Sequence, residues 1–146
     1  MEPRTVEALF RPRAVALIGA SGDAAKNTAR PQRYLRKHGY TGRIVPINPG
    51  REEVLGEKAF ASLGQVPGEI DHAFIMIEDV ERALEACGAK RVPVASVYSN
   101  GFADSGPDGA ARQEKLVAAA KALGVRVLGP NSMGVIDIPG RMALTV

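Results

Sequence analysis

The run Ala14-Val15-Ala16-Leu17-Ile18 is wholly apolar and ends abruptly in Gly19-Ala20-Ser21-Gly22. A short continuous apolar run bounded by a turn signal reads as a strand buried on both faces. Such a strand belongs in a parallel sheet with helices packed on each side. The pattern recurs along the chain. Arg43 to Ile47 ends in Asn48-Pro49-Gly50, and Ala73 to Ile77 precedes Glu78-Asp79. Val94 to Tyr98 precedes Ser99-Asn100-Gly101, and Val125 to Leu128 runs into Gly129-Pro130-Asn131.

Helical segments lie between these runs. Val6 to Phe10 reads as one helical turn closed off by Pro12. Thr28 is the expected cap of a helix through His38, with Pro31 in the first turn and Gly39 as the stop. Asp79 is the expected cap of a second helix, in which Val80, Ala83, Leu84 and Cys87 share one face and Gly88 ends the run. Gly109 to Leu123 is the clearest helix, stopped by Gly124, while Glu52 to Glu69 is weakly patterned. The sequence therefore predicts an α/β fold: a Rossmann-like open parallel sheet of about five strands, with helices on both faces and right-handed crossovers. The chain of 146 residues suits one domain, 1–146. The tail from Ile138 to Val146 carries neither stop signal nor cap, and reads as a piece of a longer chain.

Composition narrows the function classes. No apolar run approaches the roughly 20 residues of a membrane span, and the first residues lack a signal-peptide layout, so no membrane role and a cytoplasmic location are expected. One cysteine rules out an internal disulfide and any multi-cysteine metal site, and Cys87 lies on an apolar helix face as core. The net charge is only +3, but it is unevenly placed. From Ala24 to Arg51 there is no acid, and Lys26, Arg30, Arg33, Arg36, Lys37, Arg43 and Arg51 all fall there. That stretch is either a solvated basic face or a site for a phosphorylated small molecule. Few aromatic residues and no nucleic-acid motif argue against nucleic acid as partner.

Open parallel sheets bind ligands in the loops at the carboxyl ends of their strands. Gly19-Ala20-Ser21-Gly22-Asp23-Ala24-Ala25 fits Gly-x-x-Gly-x-x-Ala, a relative of the dinucleotide fingerprint. Glycine there lets the chain turn tightly and lets a phosphate approach backbone amides. Asp23 would repel a phosphate, so its carboxylate is expected to turn away as a cap. Where a nicotinamide site of the common type places an acid for the ribose hydroxyls, this chain has Asn48-Pro49-Gly50-Arg51. That disfavours NAD and suits a ligand with a phosphate on its ribose, either NADP or coenzyme A. No Tyr-x-x-x-Lys set accompanies the loop, which counts against an NADP-dependent oxidoreductase domain. A stand-alone CoA- or nucleotide-sensing module is the remaining alternative.

Further segments carry a resemblance. Leu9-Phe10-x-Pro12, Gly19-Ala20-Ser21, Gly39-Tyr40-x-Gly42 and Pro46-x-Asn48-Pro49 occur in order, followed by Ser99-x-Gly101-Phe102 and Gly129-Pro130-Asn131-Ser132-x-Gly134. Together they resemble the CoA-binding domain of NDP-forming acyl-CoA synthetases, the ADP-forming acetate–CoA ligase group related to the succinyl-CoA synthetase α subunit. The resemblance implies that Gly19, Ser21, Gly22, Asp23 and Ala24 form the loop that holds the CoA pyrophosphate. It implies that Asn48, Pro49 and Arg51 bind at the end of the second strand, Arg51 standing where the succinyl-CoA synthetase branch has a CoA-binding lysine. It places Tyr98, Ser99 and Asn100 along the pantetheine path and Asn131 in the loop nearest the thiol. It also implies that the phosphocarrier histidine, and the site for ATP and Mg, lie in other domains or subunits. His38 and His72 read as structural or surface residues, and no catalytic set is expected within these 146 residues.

Overall fold

The computed structural model describes residues 3–146. Helix α1 (Pro3–Phe10) leads into β1 (Ala14–Ile18), and a 3-10 turn (Asn27–Ala29) leads into α2 (Arg30–Lys37) and then β2 (Arg43–Ile47). A small hairpin of β3 (Glu53–Val54) and β4 (Glu57–Lys58) precedes β5 (His72–Ile75), α3 (Val80–Ala89) and β6 (Val94–Val97). The chain closes with α4 (Pro107–Leu123), β7 (Arg126–Leu128) and an antiparallel hairpin of β8 (Gly134–Asp137) and β9 (Met142–Thr145). The main sheet has five strands in the order β2-β1-β5-β6-β7, and every pairing in it is parallel. This is the Rossmann-like sheet that the apolar runs predict.

The double burial of the strands explains their composition. All five residues of β1 are buried. Ala14, Ala16 and Ile18 point into one core layer, with α3 residues Val80, Ala83, Leu84 and Cys87 and α4 residues Leu116 and Ala120. Val15 and Leu17 point into the other layer, with Leu35 of α2, Phe74, and Met142 and Leu144 of β9. Alternation across the sheet with both faces covered demands apolar residues at every position. Cys87 is fully buried, and burial pushes its thiol up to about 12. Among the described residues no helix is long and apolar enough to cross a membrane.

Two local expectations, the Thr28 cap and the Gly88 stop, are corrected. Thr28 does not cap α2; the cap position is Ala29, which closes the 3-10 turn, and no side chain caps there. The weakly patterned stretch after β2 holds the β3–β4 hairpin and a 3-10 turn. In the tail, β9 supplies Met142 and Leu144 to the core, both nearly fully buried. Gly88 does not stop α3; it lies inside the helix, which runs to Ala89, and its missing side chain makes room for Leu123 of α4, which a Cβ there would meet at 2.7 Å. The Asp79 carboxylate accepts from the Arg82 N–H at 3.2 Å, and Gly124 ends α4 in the left-handed conformation.

His72 lies inside β5 and is fully buried. Its Nδ1 stands 3.2 Å from the carbonyl of Ala8, and its Nε2 2.8 Å from the Ser96 hydroxyl. A carbonyl only accepts, so Nδ1 carries the proton and Nε2 accepts from Ser96. Burial pushes the pKa from 6.5 down to about 4. In the unfolded chain the ring protonates near the ordinary value, whereas in the folded chain it stays neutral. The contribution of His72 is therefore fully present above pH 6.5 and is lost as pH falls toward 4. Stability should fall by roughly 2–3 kcal/mol between pH 6.5 and 4.5, from 1.36 kcal/mol per unit. Urea unfolding across this range measures it. The slope should flatten in His72→Asn, which does not titrate, and an equal slope in that variant would assign the acid sensitivity elsewhere.

Candidate functional site

The strand order reverses between β1 and β5, because the chain leaves β1 toward α2 on one face and leaves β5 toward α3 on the other. A crevice opens at such a switch point, outside the carboxyl ends of the strands. The glycine loop after β1 sits there. Gly19 has φ +90, and a Cβ on it would lie 2.6 Å from Ile77 Cγ2, so only glycine fits beside the β5 loop. Ser21 Oγ accepts from the Asp23 N–H at 3.0 Å, and Asp23 Oδ1 accepts from the Ala25 N–H at 3.0 Å. The carboxylate of Asp23 thus turns back onto its own loop. Ala24 is exposed, and its carbonyl accepts from Arg33 Nη1 at 3.0 Å.

The loop after β2 is tied to this one. Asn48 Nδ2 donates to the Ala20 carbonyl at 2.9 Å, and Asn48 Oδ1 accepts from the Gly50 N–H at 2.8 Å. Both ends of the Asn48 amide are therefore engaged in shaping the two loops. Pro49 is exposed in the turn that this creates, and the turn brings Arg51 back over Gly22. A Cβ built on Gly22 would stand 3.1 Å from Arg51 Nη1 and 3.2 Å from its Cζ. Gly22 and a guanidinium thus form a cradle that a side chain would fill. A backbone amide approachable for want of a side chain, beside a positive charge, is what a phosphate requires.

The loops after β6 and β7 complete the edge. Tyr98 packs its ring edge-on to Phe74, centroids 6.5 Å apart, and its hydroxyl accepts from Asn27 Nδ2 at 3.3 Å. Ser99 Oγ donates to the Ile77 carbonyl at 2.6 Å, and the Asn131 N–H donates to the Ser99 carbonyl at 3.0 Å. Asn131 adopts φ +53, and Asn100 is exposed beside it in sequence. All the residues singled out in the sequence therefore fall on loops at one edge of one sheet. They divide into a phosphate-suited half at Gly22 and Arg51 and a second half at Tyr98, Ser99, Asn100 and Asn131.

Sequence reasoning missed three contributors. Asn27 and Arg33 brace the glycine loop, and nothing in their spacing marks them apart from other members of a basic stretch. Behind the β5 and β6 loops, Arg112 makes a two-pronged ion pair with Glu81, at 2.6 and 2.7 Å, and lies 4.2 Å from the centroid of the Phe102 ring. The guanidinium holds the Glu81 carboxyl below its ordinary value. This pair joins α3 to α4. A groove of about 700 Å³ elsewhere, along the outer edge of β7, includes Arg126 and Pro130 but no residue of the glycine loop.

The sequence and the fold are similar to those of known proteins. Residues 13–137 match the CoA binding domain family. The chain is 37% identical over 147 residues to the α subunit of ADP-forming acetate–CoA ligase I from Pyrococcus furiosus, covering 97% of this chain and 32% of that protein. It is 34% identical over 138 residues to the corresponding subunit of acetate–CoA ligase II of the same organism, covering 93% of this chain and 30% of that protein. Its fold superposes with a TM-score of 0.92 on the dinucleotide-forming acetyl-coenzyme A synthetase 1 of Ca. Korarchaeum cryptofilum, solved with phosphate and ADP. There the identity is 35%, covering 97% of this chain and 31% of that one. The chain spans about a third of the length of these relatives. With the match extending over most of its length, the chain belongs to the CoA-binding domain family.

Proposed function

We propose that this chain is the CoA-holding part of an ADP-forming acyl-CoA synthetase, which converts acid, ATP and CoA to acyl-CoA, ADP and phosphate. The observation that carries the reading is the cradle of Gly22 and Arg51 at the switch point of a CoA-binding domain. In this reading the loop Gly19 to Ala24 takes the pyrophosphate, with Arg51 supplying charge. The loops at Tyr98, Ser99 and Asn100 and at Asn131 take the pantetheine arm and the thiol end. The domain contributes position: a thiol held at a fixed place reacts with an acyl phosphate without the entropic cost of a bimolecular encounter. The partners are the remaining domains or subunits of the synthetase, which hold ATP, Mg and the phosphocarrier histidine. A cytoplasmic location accords with substrates of that kind.

Calorimetric titration with CoA, NADP and ATP side by side tests this reading, and CoA should be the tightest ligand. CoA should also bind about tenfold more tightly than dephospho-CoA. One charge-assisted contact to the ribose phosphate contributes roughly 1.5–3 kcal/mol, and 1.4 kcal/mol is tenfold in affinity. Equal affinity for the two would remove Arg51 and the basic stretch from ribose-phosphate recognition. A preference for NADP would overturn the function.

A further inference from the structure

Residues 23–27 are all exposed, so no side chain of this segment is buried in the core. Its place is set by polar contacts. Two of these are local or come from the following helix: Asp23 to the Ala25 N–H, and Arg33 to the Ala24 carbonyl. A third crosses the sheet edge. Asn27 Nδ2 donates to the hydroxyl of Tyr98, a residue 71 positions away in the loop after β6. Strand β5 lies between β1 and β6, so this bond spans the switch-point crevice on the α2 side. Tyr98 is itself anchored, because its ring packs on the fully buried Phe74 and its N–H donates to the Ile75 carbonyl at 3.0 Å.

We infer that Tyr98 is a positioning residue for the phosphate loop: through Asn27 it holds segment 23–27 in the shape that presents the Gly22 amide to a pyrophosphate. The inference rests on the CoA reading above and reassigns part of the work of Tyr98 from the pantetheine path to the opposite end of the ligand. A loop ordered in advance loses less freedom when the ligand binds, so affinity rises without a new ligand contact. The hydroxyl is the only atom that Tyr98→Phe removes, and the ring packing on Phe74 remains.

The test uses Tyr98→Phe, Asn27→Ala and the double variant, titrated with CoA, ADP and pantetheine. One hydrogen bond of this kind corresponds to about fivefold in affinity. Tyr98→Phe should weaken CoA and ADP by that same factor and leave pantetheine unchanged, since pantetheine carries no pyrophosphate. Asn27→Ala should match it, and the double variant should lose nothing further, because both changes remove one interaction. Hydrogen exchange of the unliganded proteins should show faster exchange at residues 22–27 in Tyr98→Phe, with the global melting temperature unchanged, because a surface loop opens locally. Wild-type affinity for CoA and ADP in Tyr98→Phe would overturn the inference. So would an equal loss for pantetheine, which would make Tyr98 a contact of the arm, or additive losses in the double variant. If the wild-type chain binds neither CoA nor ADP, this chain taken alone does not hold the CoA site. The exchange measurement then still decides whether Tyr98 holds the loop, and unchanged exchange would end that claim too.

Discussion

Gly22→Val should lower CoA affinity at least a hundredfold while leaving the fold intact. The two halves of this expectation have separate causes. Gly22 is not in the left-handed region, unlike Gly19 at φ +90, so its backbone accepts an L side chain. The nearest atoms to a new Cβ belong to the Arg51 guanidinium, at 3.1 to 3.3 Å. That is the far end of a flexible, exposed side chain, which can swing away at little cost. The valine methyls would then occupy the cradle, and the guanidinium would be displaced from it. The phosphate loses both its approach to the amides and its nearest positive charge. Two charge-assisted contacts of roughly 1.5–3 kcal/mol each amount to a hundredfold or more. Stability should change by less than about 0.5 kcal/mol, as for other surface substitutions. Gly19→Val should behave in the opposite way. Its Cβ meets Ile77 Cγ2 at 2.6 Å with the Met76 carbonyl at 3.3 Å, so that variant should melt earlier. Calorimetry and melting curves on both variants separate the cases. CoA binding retained by Gly22→Val would mean that the loop is only a turn.

The sheet was legible because its signal is strong and local. β1 and β2 have the same limits in structure as in sequence, since each is an apolar run closed by glycine or Asn-Pro. The helix-stop glycines were legible for a related reason: Gly39 and Gly124 occupy positive φ, which other residues adopt only at a cost. The start of α2 was not legible. Thr28 has the chemistry of a cap, but the 3-10 turn at Asn27–Ala29 puts it inside the turn, where its side chain caps nothing. The core role of the tail was not legible, because β9 is short and its partner β8 has exposed Ile136 beside half-buried Val135; only packing against α2 and the sheet determines that Met142 and Leu144 are core. At the site, the loops could be read but their lacing could not. Asn48 reads as a ligand residue in the sequence, and the structure shows its amide bridging Ala20 and Gly50. The Tyr98–Asn27 and Arg112–Glu81 pairs join residues far apart in the chain, and no spacing rule within one sequence reaches that distance.

The 146-residue chain should form no thioester when given ATP, an acid and CoA, and should acquire no phosphohistidine from labelled ATP. Transfer of a phosphoryl group through histidine needs a ring nitrogen that can reach the phosphorus and a neighbour that orients the ring. His72 meets neither need, because it is fully buried with Nδ1 turned to the Ala8 carbonyl and Nε2 to Ser96. His38 is exposed just after the last turn of α2, where its aromatic neighbour is Tyr34, with ring centroids 6.5 Å apart. CoA should nonetheless raise the melting temperature of this inactive chain. A ligand that binds only the folded state stabilises it by about 2.7 kcal/mol at a hundredfold excess over Kd, roughly 5–11 °C for a domain of this size. On the proposed function, adding domains that carry the histidine and bind ATP, in one chain or as separate pieces, should restore turnover. Acid-labile phosphate on His38 or His72 in the isolated chain would contradict the division of labour. Absence of both turnover and thermal shift would remove the CoA site from this domain taken alone. The cradle at Gly22 and Arg51 would then be completed by residues from another domain, and a shift that appears only when those domains are added would locate them.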